Sequence, residues 1–258
     1  SGTAYFDPVV IELFDASEKP TGIKVLRATH VPTGQPPEID YFPNSTAVVD
    51  LQLPDGTVQT VNLSGPTTIQ VWVGAQGQAN DSDGNGLDDV DTEMVQLDLR
   101  GASPLGPVVM RLADPARHPA LRSVGQIEET ANTQAGRLDL PPFAASGTAN
   151  SFFDVFVDLE VNGQVLHPAT AIHLESLIHH KPPGPGDAYV NPFTQPIPLL
   201  DANGNPTGFY ILQEVHTPNP VPLNIQCSTN RTAYATGPNG AVVTFGAPTV
   251  TGGCPPYT

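Results

Sequence analysis

Residues 46–63 read TAVVDLQLPDGTVQTVNL. Apolar and polar side chains alternate on both sides of Pro54-Asp55-Gly56, so one face of each run is apolar and the other wet. That is the period of a half-buried β-strand, and Asp-Gly between two such runs is a strong hairpin signal. Asn162-Gly163 repeats the device, and Asp201–Gly208 (DANGNPTG) offers a longer turn before FYILQEV.

Working outward, further alternating or β-branched runs occur at 9–14, 23–28, 67–73, 94–99, 108–112, 152–161, 164–167, 172–177, 209–215 and 241–245. Strands linked by short turns predict an all-β protein, an antiparallel β-sandwich of jelly-roll or Ig-like type. The 29 Pro and 24 Gly make up about a fifth of the chain, against about an eighth in average usage, so long Pro/Gly-rich loops are expected. Residues 179–198, HHKPPGPGDAYVNPFTQPIP, are too rich in proline for a central strand, because each Pro removes a ladder donor. Residues 101–146 carry less alternation, and Glu128-Glu129 fall in the one stretch that reads as a short helix. This divides the chain into a β module over 1–112, a connection over 113–148, and a second module or continuation over 149–258.

The net charge of −16, from 26 acids against 10 bases, repels phosphate backbones and anionic membranes. No basic stripe is present, and no apolar run reaches the roughly 20 residues a spanning helix needs. Nucleic acid and a membrane span are therefore excluded, and divalent cations are the natural partners of such a surface. The start, SGTAYFD, has the small polar residues typical of the position just after a signal-peptidase cut.

Six of the acids crowd into residues 81–93, DSDGNGLDDVDTE. A calcium loop places oxygen donors at alternate positions, a glycine at the sharp turn, and a backbone carbonyl after it. Asp81, Asp83, Asn85, Gly86, the Leu87 carbonyl and Asp89 fit that order. Thr92 stands where the last bidentate acid belongs, so Asp91 or Glu93 would have to substitute. The pattern resembles the calcium loops of thrombospondin type-three repeats and dockerins over these thirteen residues, and the resemblance implies bound Ca2+. The flanks, TTIQVWVG and EMVQLDL, are strand-like, so the ion would staple a connection between strands.

Cys227 and Cys254 lie in a Gly/Pro/Thr-rich tail with little core of its own, and a disulfide between them is expected. His167, His173, His179, His180 and His216 crowd the second half. On a strand His173, Glu175 and His179 would share a face, a possible transition-metal trio against the reading of ordinary surface histidines. Glu12, Glu128, Glu160, Glu175 and Glu214 are all eligible as catalytic carboxylates, which makes none of them specific. No nucleophile elbow, P-loop or zinc-protease helix occurs. Trp72 in an apolar strand reads as core, while Tyr189, Phe193, Tyr210 and Tyr234 are candidates for a sugar platform.

Taken together, these features resemble secreted surface modules of environmental bacteria. The expected function is a secreted, calcium-stabilised structural or adhesive surface protein. It would be a subunit of an extracellular fibre if its first residues add as a strand to a copy of itself. The alternative is a module that binds surface glycans or an all-β carbohydrate-active enzyme.

Overall fold

The computed structural model describes residues 11–14, 19–25, 36–114, 121–184, 186–192, 195–219, 224–227, 230–235, 237–238 and 240–251. Contacts divide the chain into two units, Ser1–Pro220 and Val221–Thr258. In the first, β1 (Ile11–Phe14) and β2 (Pro20–Val25) form an antiparallel pair. The main sheet is built from β3 (Glu38–Gln52), β4 (Val58–Val71), β5 (Asp89–Ser103), β6 (Gly106–Leu112), β7 (Ser123–Glu129), β8 (Ala149–Val155), β9 (Val157–Val161), β10 (Gln164–Pro168), β11 (Ile172–Ile178), β12 (Tyr189–Val190), β13 (Ile197–Leu200) and β14 (Pro206–Thr217). The second unit holds β15 (Asn224–Gln226) paired antiparallel with β16 (Thr249–Thr251).

The all-β, antiparallel class expected from the alternation is what the structure shows. The strand order is β12-β11-β8-β7-β5-β4-β3-β14-β13-β10-β9-β6, and two further pairings, β12–β14 and β5–β6, close it twice. One ring runs β12-β11-β8-β7-β5-β4-β3-β14, and the other runs β5-β4-β3-β14-β13-β10-β9-β6. They share β3, β4, β5 and β14, which are the long strands. Strand β5 pairs β7 through Asp89–Met94 and β6 through Asp98–Ser103. Likewise β14 pairs β12 at Val215-His216 and β13 at Tyr210-Ile211.

Local chemistry lets the shared strands bend between the rings. A Cβ on Gly65 would lie 2.0 Å from the Asp98 carbonyl oxygen, and one on Gly101 would lie 2.1 Å from that of Asn62. Only glycine permits this approach of β4 to β5. The β3–β4 register shifts between Phe42 and Ser45, around Pro43-Asn44, at the same level. Along β3 the inward positions Phe42, Ala47, Val49 and Leu51 are buried while intervening side chains face out. They join one apolar core with Leu99, Met110, Leu159 and Leu199.

The strands of residues 149–217 join the same sheet as β3–β7, and Val221–Thr258 is the second unit. Strands β8 and β11 complete a ring begun by β3, β4 and β5, so one sheet draws on both sides of the 113–148 segment. Three other expectations are corrected. Glu128 and Glu129 lie in β7, a strand between β5 and β8, and not in a helix. The run 152–161 is two strands, parted at Phe156. Its N–H donates to Ser123 Oγ and its carbonyl accepts the Ala113 N–H, which sends β8 into the first ring and β9 into the second. Residues 241–245 form no strand. Among the described residues no helix is long and apolar enough to cross a membrane.

Candidate functional site

The first ring encloses a cavity of about 30 Å³, lined by side chains from all eight of its strands and by Pro183 and Pro218. The apolar part of the wall is Phe42, Ile69, Met94, Ile127, Phe153 and Leu174. The polar part is Asp40, Thr67, Thr92, Ser151, Tyr189 and His216. Each occupies an inward position of its strand, so alternation itself delivers polar atoms to the interior.

These polar groups divide by whether they are satisfied. Lys181 is 1 % exposed, and its ammonium lies 2.8 Å from Asp40 Oδ1 and 2.9 Å from Glu38 Oε1. Burial pushes the Asp40 carboxyl up, and Lys181 opposes that push. The Tyr189 hydroxyl donates to Ser151 Oγ at 2.9 Å, and burial pushes the phenol far up, so it stays neutral. Burial holds the His216 imidazole down at about 4, which also leaves it neutral. The Thr67 and Thr92 hydroxyls are buried in the wall with no hydrogen-bond partner among the described residues. An orphan buried hydroxyl costs about 1–3 kcal/mol.

Glu214 lies two residues before His216, where β14 passes from β12 to β13. It is 3 % exposed, its Oε2 has no partner among the described residues, and desolvation lifts its carboxyl to about 7. A buried, strongly shifted acid of this kind is a candidate functional group.

The acidic loop connects β4 to β5, as expected for a strand-to-strand connection. Asp81 Oδ1 accepts the N–H groups of Gly84 and Asn85 at 2.8 and 3.0 Å, and its Oδ2 accepts that of Gly86 at 3.0 Å. Asp83 accepts from Asn85, and Asn85 Oδ1 accepts the Leu87 N–H. Leu87 is half-buried. The other candidate ligands are engaged elsewhere. Asp89 is 4 % exposed and accepts from Ser82 and Gln126, Asp91 lies within β5, and Glu93 pairs with Arg122. Asp81, Asp83 and Asn85 are thus held within the exposed turn, while Asp89 and Glu93 are tied to neighbouring strands. Among the described residues no three His, Cys, Asp or Glu side chains converge at metal-holding distance. The turn at Asp201 has the same kind of hydrogen bonding. There a single carboxylate takes the N–H groups of Asn203 and Asn205 at 2.8 and 2.9 Å.

Behind the loop sits a set of carboxylates that no motif announces. Glu129 takes the N–H groups of Asp88 and Asp139, Asp88 takes those of Gly136 and Arg137, and Asp139 takes those of Thr133 and Gln134. Together they fasten residues 130–140 to the end of β7.

The histidines separate. His173 Nδ1 lies 2.8 Å from Asp154 and its Nε2 lies 3.7 Å from Glu175, and its ring stacks on Phe152. His179 turns to Asp187 instead, so the trio does not assemble. His180 approaches the Pro182 carbonyl, and His167 is half-buried on β10. His173 and Glu175 line an open outer hollow of about 440 Å³, but their polar atoms already have partners. Trp72 is half-buried, out of phase with the buried Val71 and Val73, and is not core. No sugar platform forms from Tyr189, which points inward, and Tyr210, half-buried on β14. Tyr234 belongs to the second unit, and Phe193 lies outside the described residues. Glu160 pairs with Arg111. Cys227 is exposed, and Cys254 lies outside the described residues, as do residues 1–10 and the side chain of Glu12.

No protein-family profile and no curated protein matches the chain. Among solved structures, DynF from the dynemicin biosynthesis pathway of Micromonospora chersina is similar in fold. The TM-score is 0.54 at 20% sequence identity, over 70% of this chain and 80% of that one.

Proposed function

We propose that this chain binds a small, largely apolar molecule inside its first ring. The observation that carries the reading is the pair of buried hydroxyls, Thr67 and Thr92, in the wall of a cavity inside a closed barrel. Eight-stranded barrels either fill their interior with side chains or hold one small ligand. A filled interior has no use for orphan hydroxyls, whereas a ligand or an ordered water completes them. A cavity of about 30 Å³ has room for one or two waters. An occupant is therefore slender and displaces Met94, the most adaptable side chain of the wall. Fold likeness to a protein of a biosynthesis pathway is in keeping with a barrel that handles small molecules.

Methyl NMR of the full chain during titration with short-chain alcohols and ketones tests this. The expected result is saturable shifts confined to Ile69, Met94, Ile127 and Leu174. Shifts only at outward methyls such as Val95 and Leu177, or no shifts at all, would sink the reading.

A second reading is an extracellular structural or adhesive module stabilised by calcium and pairing with copies of itself. It is favoured by the Asp81–Asp83–Asn85 turn. Ring closure limits strand addition to the part of β11 that β12, paired with it only at Glu175↔Val190, leaves open, and to the β1–β2 pair.

A further inference from the structure

We infer that the first ring selects a molecule with an uncharged polar head, a hydroxyl or a carbonyl, over one with a carboxylate or an ammonium. This rests on the binding reading above and adds the chemistry of the head.

The charged groups that line the cavity are already matched. Asp40 is held by Lys181 at 2.8 Å, and Lys181 is shared with Glu38, so an entering anion finds no spare cation. An entering ammonium finds no spare carboxylate, because the inward acid of the wall is the one Lys181 holds. Tyr189 and His216 are neutral and cannot serve as counter-ions. Glu214, also buried, is not among the residues that line the cavity. Moving an unpaired charge into such a place is far costlier than moving a neutral polar group that finds a hydrogen bond.

What remains unmatched is neutral. Thr67 and Thr92 each have a hydroxyl that both donates and accepts, which suits an alcohol or a ketone. Thr92 lies opposite Val71 in the ladder, four residues along from Thr67. At the rise of a strand that is roughly 13 Å, so one head meets one of the two hydroxyls. Between them the wall is Ile69 and Met94, which suits an apolar body.

The experiment is methyl NMR titration of the full chain with ethanol, acetate and ethylamine, which share a two-carbon body and differ in the head. The titrations are repeated on Thr67→Val and Thr92→Val. Ethanol is expected to bind at least about tenfold more tightly than either ion near neutral pH, and one of the two variants to lose most of that preference. A variant that lacks an orphan hydroxyl should melt no lower than the parent, which separates lost recognition from lost folding. Equal or tighter binding of acetate or ethylamine would overturn the inference while leaving the binding reading intact. The same holds if ethanol affinity is unchanged in both variants. Absence of binding by all three would overturn both.

Discussion

Tyr189 and His216 are cross-strand partners on β12 and β14, and this contact closes the first ring. Strand β12 is only two residues long, yet without it β11 and β14 would each expose an edge. The Tyr189 ring is anchored at its far end by Ser151 on β8 and packs near Phe153, their centroids 5.7 Å apart. One side chain thus ties β12 to β8 across β11.

Shortening that side chain should therefore have graded effects. Tyr189→Phe removes one buried hydrogen bond and strands Ser151 Oγ, at about 1–2 kcal/mol. Tyr189→Ala also leaves a cavity, and large aromatic truncations cost about 3–5 kcal/mol. Urea unfolding of the two variants checks the order. Equal losses would mean that the ring adds nothing to closure beyond its hydroxyl.

Glu214 and His216 give stability two opposed dependences on pH. The Glu214 carboxyl is raised from 4.5 to about 7. The folded state therefore holds its proton where the unfolded state has lost it, and stability falls as pH rises through that window. The His216 imidazole is lowered from 6.5 to about 4. The unfolded state there binds the extra proton, so stability rises with pH between those values. Over most of the shared range the slopes cancel. Glu214→Gln should unmask the rising histidine slope and stabilise the protein at pH 8 relative to the parent, by up to the order of 3 kcal/mol at about 1.4 kcal/mol per pKa unit. Unfolding free energies measured from pH 4 to 8 check both the sign and the window.

Much of the fold is legible in the sequence because the relevant signals are local. The hairpin at Pro54-Asp55-Gly56 is present, with Asp55 Oδ1 taking the Thr57 N–H and hydroxyl. Ring closure is not legible. Tyr189-Val190 sits in a proline-rich segment too short to show a period, and its partner on β14 is chosen by the whole sheet. Strand β7 does not read as a strand because Gly125, whose Cβ would lie 1.9 Å from the Phe152 carbonyl oxygen, and its paired acids mask its alternation. The site carries one readable signal. Thr92 falls in phase between Val90 and Met94, and Ser151 between Ala149 and Phe153, so each is a polar residue at an inward position.

The acidic loop separates ion binding from bracing. Asp83 touches only Asn85 within the exposed turn, so Asp83→Ala should leave the melting temperature without calcium nearly unchanged and weaken any rise that calcium produces. Asp89 holds Ser82 and Gln126, and Asp89→Ala should cost about 1–3 kcal/mol with or without calcium. Thermal melts of both variants in chelator and in calcium distinguish the two roles. If calcium gives the parent no rise in melting temperature, the turn is held by its own hydrogen bonds alone.

The buried pair Asp40–Lys181 should show strong coupling. Removing one partner leaves the other charged and desolvated, which in buried pairs costs about 3–5 kcal/mol. Asp40→Asn leaves Lys181 with Glu38, whose side chain is 41% exposed, so its cost should be the smaller of the two. Lys181→Met leaves Asp40 without its cation, and its proton uptake should rise further, since burial already favours the neutral acid. The double variant should recover much of the loss, because a well-packed neutral pair often matches a buried ionic one. A double-mutant cycle by urea unfolding measures the coupling, and additive losses would show that the two groups do not depend on each other. The same cycle bears on the ligand head. If Lys181→Met leaves ethanol binding unchanged, the pair neutralises the wall without touching the occupant.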